Sequence, residues 1–145
     1  MVISRILAHK GTQVISVSPR DDAIAICRVM AQHRIGAVLV RGEAGAMLGI
    51  VSERDVVRAL ASRGAATVAM DATQLMTRVL HTVTPETRVC DALAMITDRR
   101  VRHLPVLDAQ GQLAGMVSIG DLVKARIEEA EQEASELRDF VATAG

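Results

Sequence analysis

Gly49-Ile50-Val51-Ser52-Glu53-Arg54-Asp55 returns later in the chain as Gly115-Met116-Val117-Ser118-Ile119-Gly120-Asp121. Both stretches read Gly, two apolar residues, Ser, two variable residues, Asp. The apolar pair after Gly fits the end of a buried strand. Ser then stands at an N-cap position, and an apolar-periodic helix follows. In such a turn the Ser hydroxyl, the Asp carboxylate and the free helix N–H groups face one small volume. That volume suits an anionic ligand carrying a sugar, with phosphate toward the helix N-terminus and hydroxyls toward the carboxylate. Taken singly, each turn reads equally well as a capping box. Recurrence at the same place in two repeats favours the ligand.

Working outward, Val17–Arg58 lies on Val83–Lys124 without a gap, and ten of the 42 pairs are identical. Pro19/Pro85, Arg34/Arg100, Gly45/Gly111, Gly49/Gly115, Ser52/Ser118 and Asp55/Asp121 are among them. Each repeat follows one plan. A short strand (Val14–Val17, Leu80–Val83) precedes Ser18-Pro19 or Thr84-Pro85, read as a hydroxyl N-cap with Pro at the first helical position. Helical spacing follows at Ala23, Ile26, Cys27 and Met30, and at Val89, Ala92, Leu93 and Ile96. Two strand-like runs come next, Ile35–Val40 with Met47–Val51, and Val101–Leu107 with Leu113–Val117. A second helix closes each repeat. The boundaries expected are 1–66 for the first repeat with its N-terminal lead-in, 67–127 for the second, and 128–145 for a C-terminal helical extension. Met1–Gly11 is taken to lead into the first repeat. From Leu122 to about Val141 no Gly or Pro interrupts the pattern. That helix reads either as a solvated tail or as a surface for a partner subunit.

Composition narrows the function classes. With 145 residues, half of them apolar and Phe140 the single aromatic, the core is aliphatic. Seventeen basic and seventeen acidic residues cancel, so nucleic acid is not an expected partner. No apolar run reaches the length of about 18 residues that a membrane span needs, and Arg5 interrupts the short N-terminal stretch, so no signal peptide is read. Cys27 and Cys90 are expected as buried free thiols, consistent with a cytoplasmic setting. His9, His33, His81 and His103 stand singly, so no metal site is expected. Neither a Walker nor a Rossmann phosphate motif occurs. Ser52 and Ser118 have no general base in their local pattern, so no catalytic residue is assigned and the chain reads as a non-enzyme.

These repeats resemble a tandem pair of cystathionine-β-synthase (CBS) domains, a Bateman module, over about residues 2–127. The doubled Gly-apolar-apolar-Ser-x-x-Asp motif, the strand–helix–strand–strand–helix order and Arg102-His103-Leu104-Pro105-Val106 carry the resemblance. Leu122-Val123-Lys124-Ala125-Arg126 is similar to the small stand-alone CBS-pair proteins. The resemblance implies an α+β fold in which two pseudo-symmetric βαββα repeats pack through their sheets, with a long C-terminal helix. It also implies two composite clefts for adenosine nucleotides. One would take Ser52, Arg54 and Asp55 with Thr84, Val89, Arg102 and His103. The other would take Ser118, Gly120 and Asp121 with Ser18, Ala23, Ile35 and Gly36. Asp55 and Asp121 would accept from ribose hydroxyls, and Ser52 and Ser118 would meet phosphate. Arg54 would supply a cation that Ile119-Gly120 withholds from the second cleft. Arg102 reads either as part of a solvated basic face or as a phosphate contact, and His103 as a phosphate contact or a structural residue. Ala37-Val38-Leu39-Val40 lacks the Pro common in the family, a departure a strand tolerates. The function implied is a sensor of AMP, ATP or NAD(H) with no catalytic cofactor, acting as a homodimer of CBS pairs on an unknown effector protein. The alternative is a ligand-independent scaffold.

Overall fold

Repetition in sequence becomes repetition of register. The computed structural model describes residues 1–78 and 81–144. A lead-in helix, α1 (Ile3–Lys10), precedes the first repeat, which runs β1 (Ser16–Val17), α2 (Ala23–His33), β2 (Ala37–Arg41), β3 (Met47–Ser52) and α3 (Glu53–Arg63). A second lead-in follows, α4 (Ala72–Leu75) and β4 (Thr77–Arg78). The second repeat runs α5 (Val89–Arg99), β5 (His103–Leu107), β6 (Leu113–Ser118) and α6 (Ile119–Ala144). In the antiparallel pair β2–β3, Ala37 faces Ser52, Val40 faces Gly49, and the register shifts between Val40 and Arg41. In β5–β6, His103 faces Ser118, Val106 faces Gly115, and the shift falls between Val106 and Leu107. Each residue of the second hairpin thus pairs as its counterpart in the first repeat does.

The repeats differ in their first strand, and Pro105 accounts for it. Leu39 donates its N–H to the Ile15 carbonyl (3.1 Å), and β1 pairs in parallel with β2. Pro105, at the matching place, has no N–H to give. The strand beside it shrinks to a single parallel bridge, Val83 to Val106. The strand expected over Leu80–Val83 begins at a residue outside the described ones.

Ser18-Pro19 and Thr84-Pro85 do not start helices. The Asp21 carboxylate accepts from the Ser18 N–H (2.9 Å), and the Asp21 N–H donates to the Ser18 carbonyl (3.1 Å). Thr87 closes the equivalent turn at Thr84. These local side-chain bonds hold a turn where a helix would otherwise begin. The helices start four residues later. Asp22 caps α2 by accepting from the Ala25 N–H (2.8 Å), and Arg88 stands at the N-cap of α5.

The chain folds into two compact units whose limits differ from the repeat boundaries 1–66 and 67–127. One unit is residues 14–80. The other combines residues 1–13 with 81–145. The difference arises because each lead-in packs with the opposite repeat. Met1–Gly11, expected to belong with the first repeat, belongs with the second: Ile3 donates to the Thr87 carbonyl (2.9 Å), and Ser4 to that of Pro85 (2.8 Å). Ile3, Ile6 and Leu7 join its core with Val89, Ala92, Ile96, Leu104, Val117 and Leu122. Ala72 and Leu75 of α4 join the core of the first repeat with Val17, Ile26, Met30, Val38 and Val51. The glycine that opens each repeated motif makes room for the crossing. A Cβ at Gly49 would stand 2.7 Å from both Met76 Sδ and the Thr77 carbonyl oxygen. At Gly115 it would stand 2.8 Å from Leu7 Cδ2.

The thiols also depart from expectation. Cys27 is half-buried, but Cys90 is exposed, and both are unpaired. Val89, Ala92 and Ile96 define the buried face of α5 and turn Cys90 outward. Along α6 only Leu122 and Ala125 are buried, while Leu137, Phe140 and Val141 are each more than 60% exposed. Among the described residues no helix is long and apolar enough to cross a membrane.

Candidate functional site: two Ser/Asp turns

Ser52 ends β3 and caps α3. Its Oγ accepts from the Asp55 N–H (3.3 Å), while Asp55 Oδ2 accepts from the Ser52 N–H (2.8 Å) and hydroxyl (2.9 Å). Ser118 repeats the arrangement at the start of α6. Its Oγ accepts from the Asp121 N–H (3.1 Å), and Asp121 Oδ2 accepts from the Ser118 N–H (2.9 Å). Such reciprocal capping stabilises a helix by about 1 kcal/mol. It also fixes a half-buried carboxylate beside the positive end of a helix, where an anion is favoured. Capping and ligand binding are thus compatible uses of one geometry.

The two carboxylates have different outer partners, and both partners come from the lead-ins. Asp55 Oδ1 accepts from the Thr77 hydroxyl (3.0 Å). Asp121 Oδ2 takes Lys10 Nζ at 2.6 Å, and the same ammonium donates to the Met116 carbonyl (2.9 Å). Burial pushes the Asp121 carboxyl up, but the Lys10 and Ser118 bonds and the Lys10 charge outweigh it, so its pKa lies below the ordinary value of 3.8. Sequence reasoning misses Lys10 and Thr77 because it assigns each lead-in to the wrong repeat. The absence of a cation expected for the second turn is corrected by Lys10, which reaches it from α1.

The remaining expected positions divide between the units. In residues 14–80, Arg54 is exposed on the first turn of α3, and Ser18 lies in the exposed turn before α2. Ala23 is a core residue at the start of α2. The Gly36 carbonyl accepts from the Glu53 N–H (2.9 Å). Ile35 and Gly36 line an open groove of about 440 Å³ with Met30, Glu53, Val56 and Val57. In the other unit, the Arg102 carbonyl accepts from the Ile119 N–H (2.8 Å), and His103 pairs in register with Ser118. Arg102 and His103 therefore stand at the start of their own Ser/Asp turn. Gly120 is exposed on the first turn of α6, Thr84 is exposed in the turn before α5, and Val89 is a core residue.

With the geometry in place, comparison with known proteins identifies its kind. The CBS-domain profile matches residues 7–62 and again 72–128. The CBS domain-containing protein CBSX3, mitochondrial, of Arabidopsis thaliana is 40% identical over 125 residues, covering 83% of this chain and 60% of that protein. The chain thus spans about three-fifths of that relative. The crystal structure of a CBS-domain containing protein from Agrobacterium tumefaciens is 36% identical, with TM-score 0.82, covering 86% of this chain and 98% of that one. A CBS domain protein from Pyrobaculum aerophilum, complexed with AMP, shares the fold at 24% identity and TM-score 0.73, covering 83% of this chain and 89% of that one.

Proposed function

This chain belongs to the CBS-domain family as a tandem pair, and from that premise we propose that it is a regulatory module that binds an adenosine ligand at its Ser/Asp turns. The observation that carries the proposal is the doubled geometry. Two half-buried carboxylates, at matching positions of the two repeats, are held by the same bonds beside the N-termini of two helices. Asp55 and Asp121 accept from ribose hydroxyls, while Ser52, Ser118 and the adjacent N–H groups meet phosphate. Arg54 adds a cation at the first turn. AMP, ATP and NAD(H) are the candidate ligands. The AMP bound by the Pyrobaculum protein supports the adenosine class. On the family resemblance alone, Thr84, Val89, Arg102 and His103 are assigned to the first site, and Ser18, Ala23, Ile35 and Gly36 to the second.

The module catalyses no reaction. It acts by differential affinity: the ligand binds one arrangement better and shifts the population toward it. A homodimer of CBS pairs is part of the proposal, supported by the exposed Leu137, Phe140 and Val141 of α6. An effector protein reads the shift, in a cytoplasmic setting supported by the two unpaired thiols. The test is a thermal-shift panel of AMP, ADP, ATP, NAD and NADH on protein stripped of ligand. A ligand at 100 times its Kd adds about 2.7 kcal/mol, which raises Tm by roughly 5–10 °C for a chain of this size. A flat panel, confirmed by calorimetry, would overturn the proposal in favour of a ligand-independent scaffold.

A further inference from the structure

Lys10 gives the second Ser/Asp turn a chemistry that the first does not have. An ammonium carries three N–H donors. The Met116 carbonyl and Asp121 Oδ2 take two of them, and no described residue accepts the third. Asp121 Oδ2 is used by Lys10 and the Ser118 N–H, while Oδ1 accepts from no described residue. One ion pair therefore presents a free donor beside a free acceptor. Lys10 is 40% exposed and Asp121 25%, so both groups are open to a ligand.

That combination is complementary to a hydroxyl. A hydroxyl gives its proton to Oδ1 and receives the Lys10 N–H on its oxygen. A vicinal diol can engage both groups at once, and each bond involves a charged partner, the stronger kind. The first turn is built otherwise. There the Thr77 hydroxyl occupies Asp55 Oδ1, and both Asp55 oxygens already have partners. Thr77, the lead-in residue that meets this carboxylate as Lys10 meets Asp121, brings a hydroxyl and no cation. The two turns share a backbone geometry and differ in the group that the opposite lead-in delivers.

We propose that Lys10 is a specificity-determining residue of the second turn, reading the ribose diol together with Asp121 so that this turn selects ribonucleotides over 2′-deoxyribonucleotides. The inference rests on the nucleotide reading above. The experiment uses the full chain carrying Asp55→Ala, which silences the first turn, and titrates AMP and 2′-deoxy-AMP by calorimetry. With Lys10 present, AMP binds about tenfold more tightly than its deoxy analogue, the scale of one hydrogen bond to a charged group. Lys10→Met weakens AMP by about tenfold and the deoxy analogue by less than about threefold, so the preference collapses. Lys10→Arg, which keeps the cation, restores the preference, and melting curves of all variants confirm the fold. An unchanged preference in Lys10→Met would overturn the proposal. So would tighter AMP binding, which would make Lys10 an occupant that the ligand displaces. If the unsubstituted chain binds neither AMP nor any other adenosine compound, the nucleotide reading itself fails, an outcome distinct from either of these.

Discussion

Gly49→Ala tests why the repeated motif opens with glycine. The added methyl carbon would stand 2.7 Å from the Thr77 carbonyl oxygen and 2.7 Å from Met76 Sδ. Met76 can adjust its thioether, but Thr77 O is backbone, and Thr77 is held in register with Ile50 by β4. Relief requires the lead-in strand to move. Overpacking of this kind costs about 1–3 kcal/mol. The reduced freedom of Ala in the unfolded chain returns about 0.4–1 kcal/mol. A net loss of about 1–2 kcal/mol follows, or a Tm drop of roughly 3–8 °C. Gly115→Ala is the internal control. There the obstacle is Leu7 Cδ2 at 2.8 Å and Cδ1 at 3.1 Å, the ends of a side chain that can rotate, so its loss is about 1 kcal/mol or less. Urea unfolding of both variants measures the difference. If Gly49→Ala is as stable as wild type, or loses less than Gly115→Ala, the close crossing of the lead-in over β3 is not what requires the glycine.

Asp22→Ala removes the α2 cap on the Ala25 N–H (2.8 Å) and lowers stability by about 1 kcal/mol in urea titration; no change would mean that solvent caps α2 equally well. Thr67 is 1% exposed and its hydroxyl has no hydrogen-bond partner among the described residues, so Thr67→Val leaves stability unchanged or raises it by up to about 1 kcal/mol. A clear loss in that variant would show that the hydroxyl is satisfied. Asp121 has a folded pKa below 3.8, so its ion pair contributes fully above that pH and is lost as pH falls through the folded value. Asp121→Asn is therefore less stable than wild type by about 0.2–1 kcal/mol near pH 7, the range of a partly exposed pair. The gap closes as pH falls below 3.8, and a pH-independent gap would refute this.

The sequence carried the repeat, the strand pairs and both Ser/Asp turns. Their signals are local: apolar alternation, a Gly at each hairpin, and Ser three residues before Asp. Helix starts were less legible. Ser-Pro satisfies the rules for a helix N-terminus, and only the bonds of Asp21 and Thr87 to the preceding backbone decide for a turn. The exchange of lead-ins was not legible at all. Nothing in Ile3–Lys10 states which repeat its apolar face will cover, since both cores are aliphatic. Lys10 and Thr77 escape the candidate site for that single reason. Cys90 shows the same limit on a smaller scale, because the apolar face of α5 is broad enough in sequence to include it.

Calorimetric titration of the wild-type chain and of the Asp55→Ala/Asp121→Ala variant with AMP, ATP, NAD and NADH tests the central claim most directly. The account predicts saturable binding of at least one of these by wild type, and its loss in the double variant with the fold intact by circular dichroism. Equal affinity in the two proteins would place the ligand elsewhere. Binding of none of the four by wild type would contradict the account.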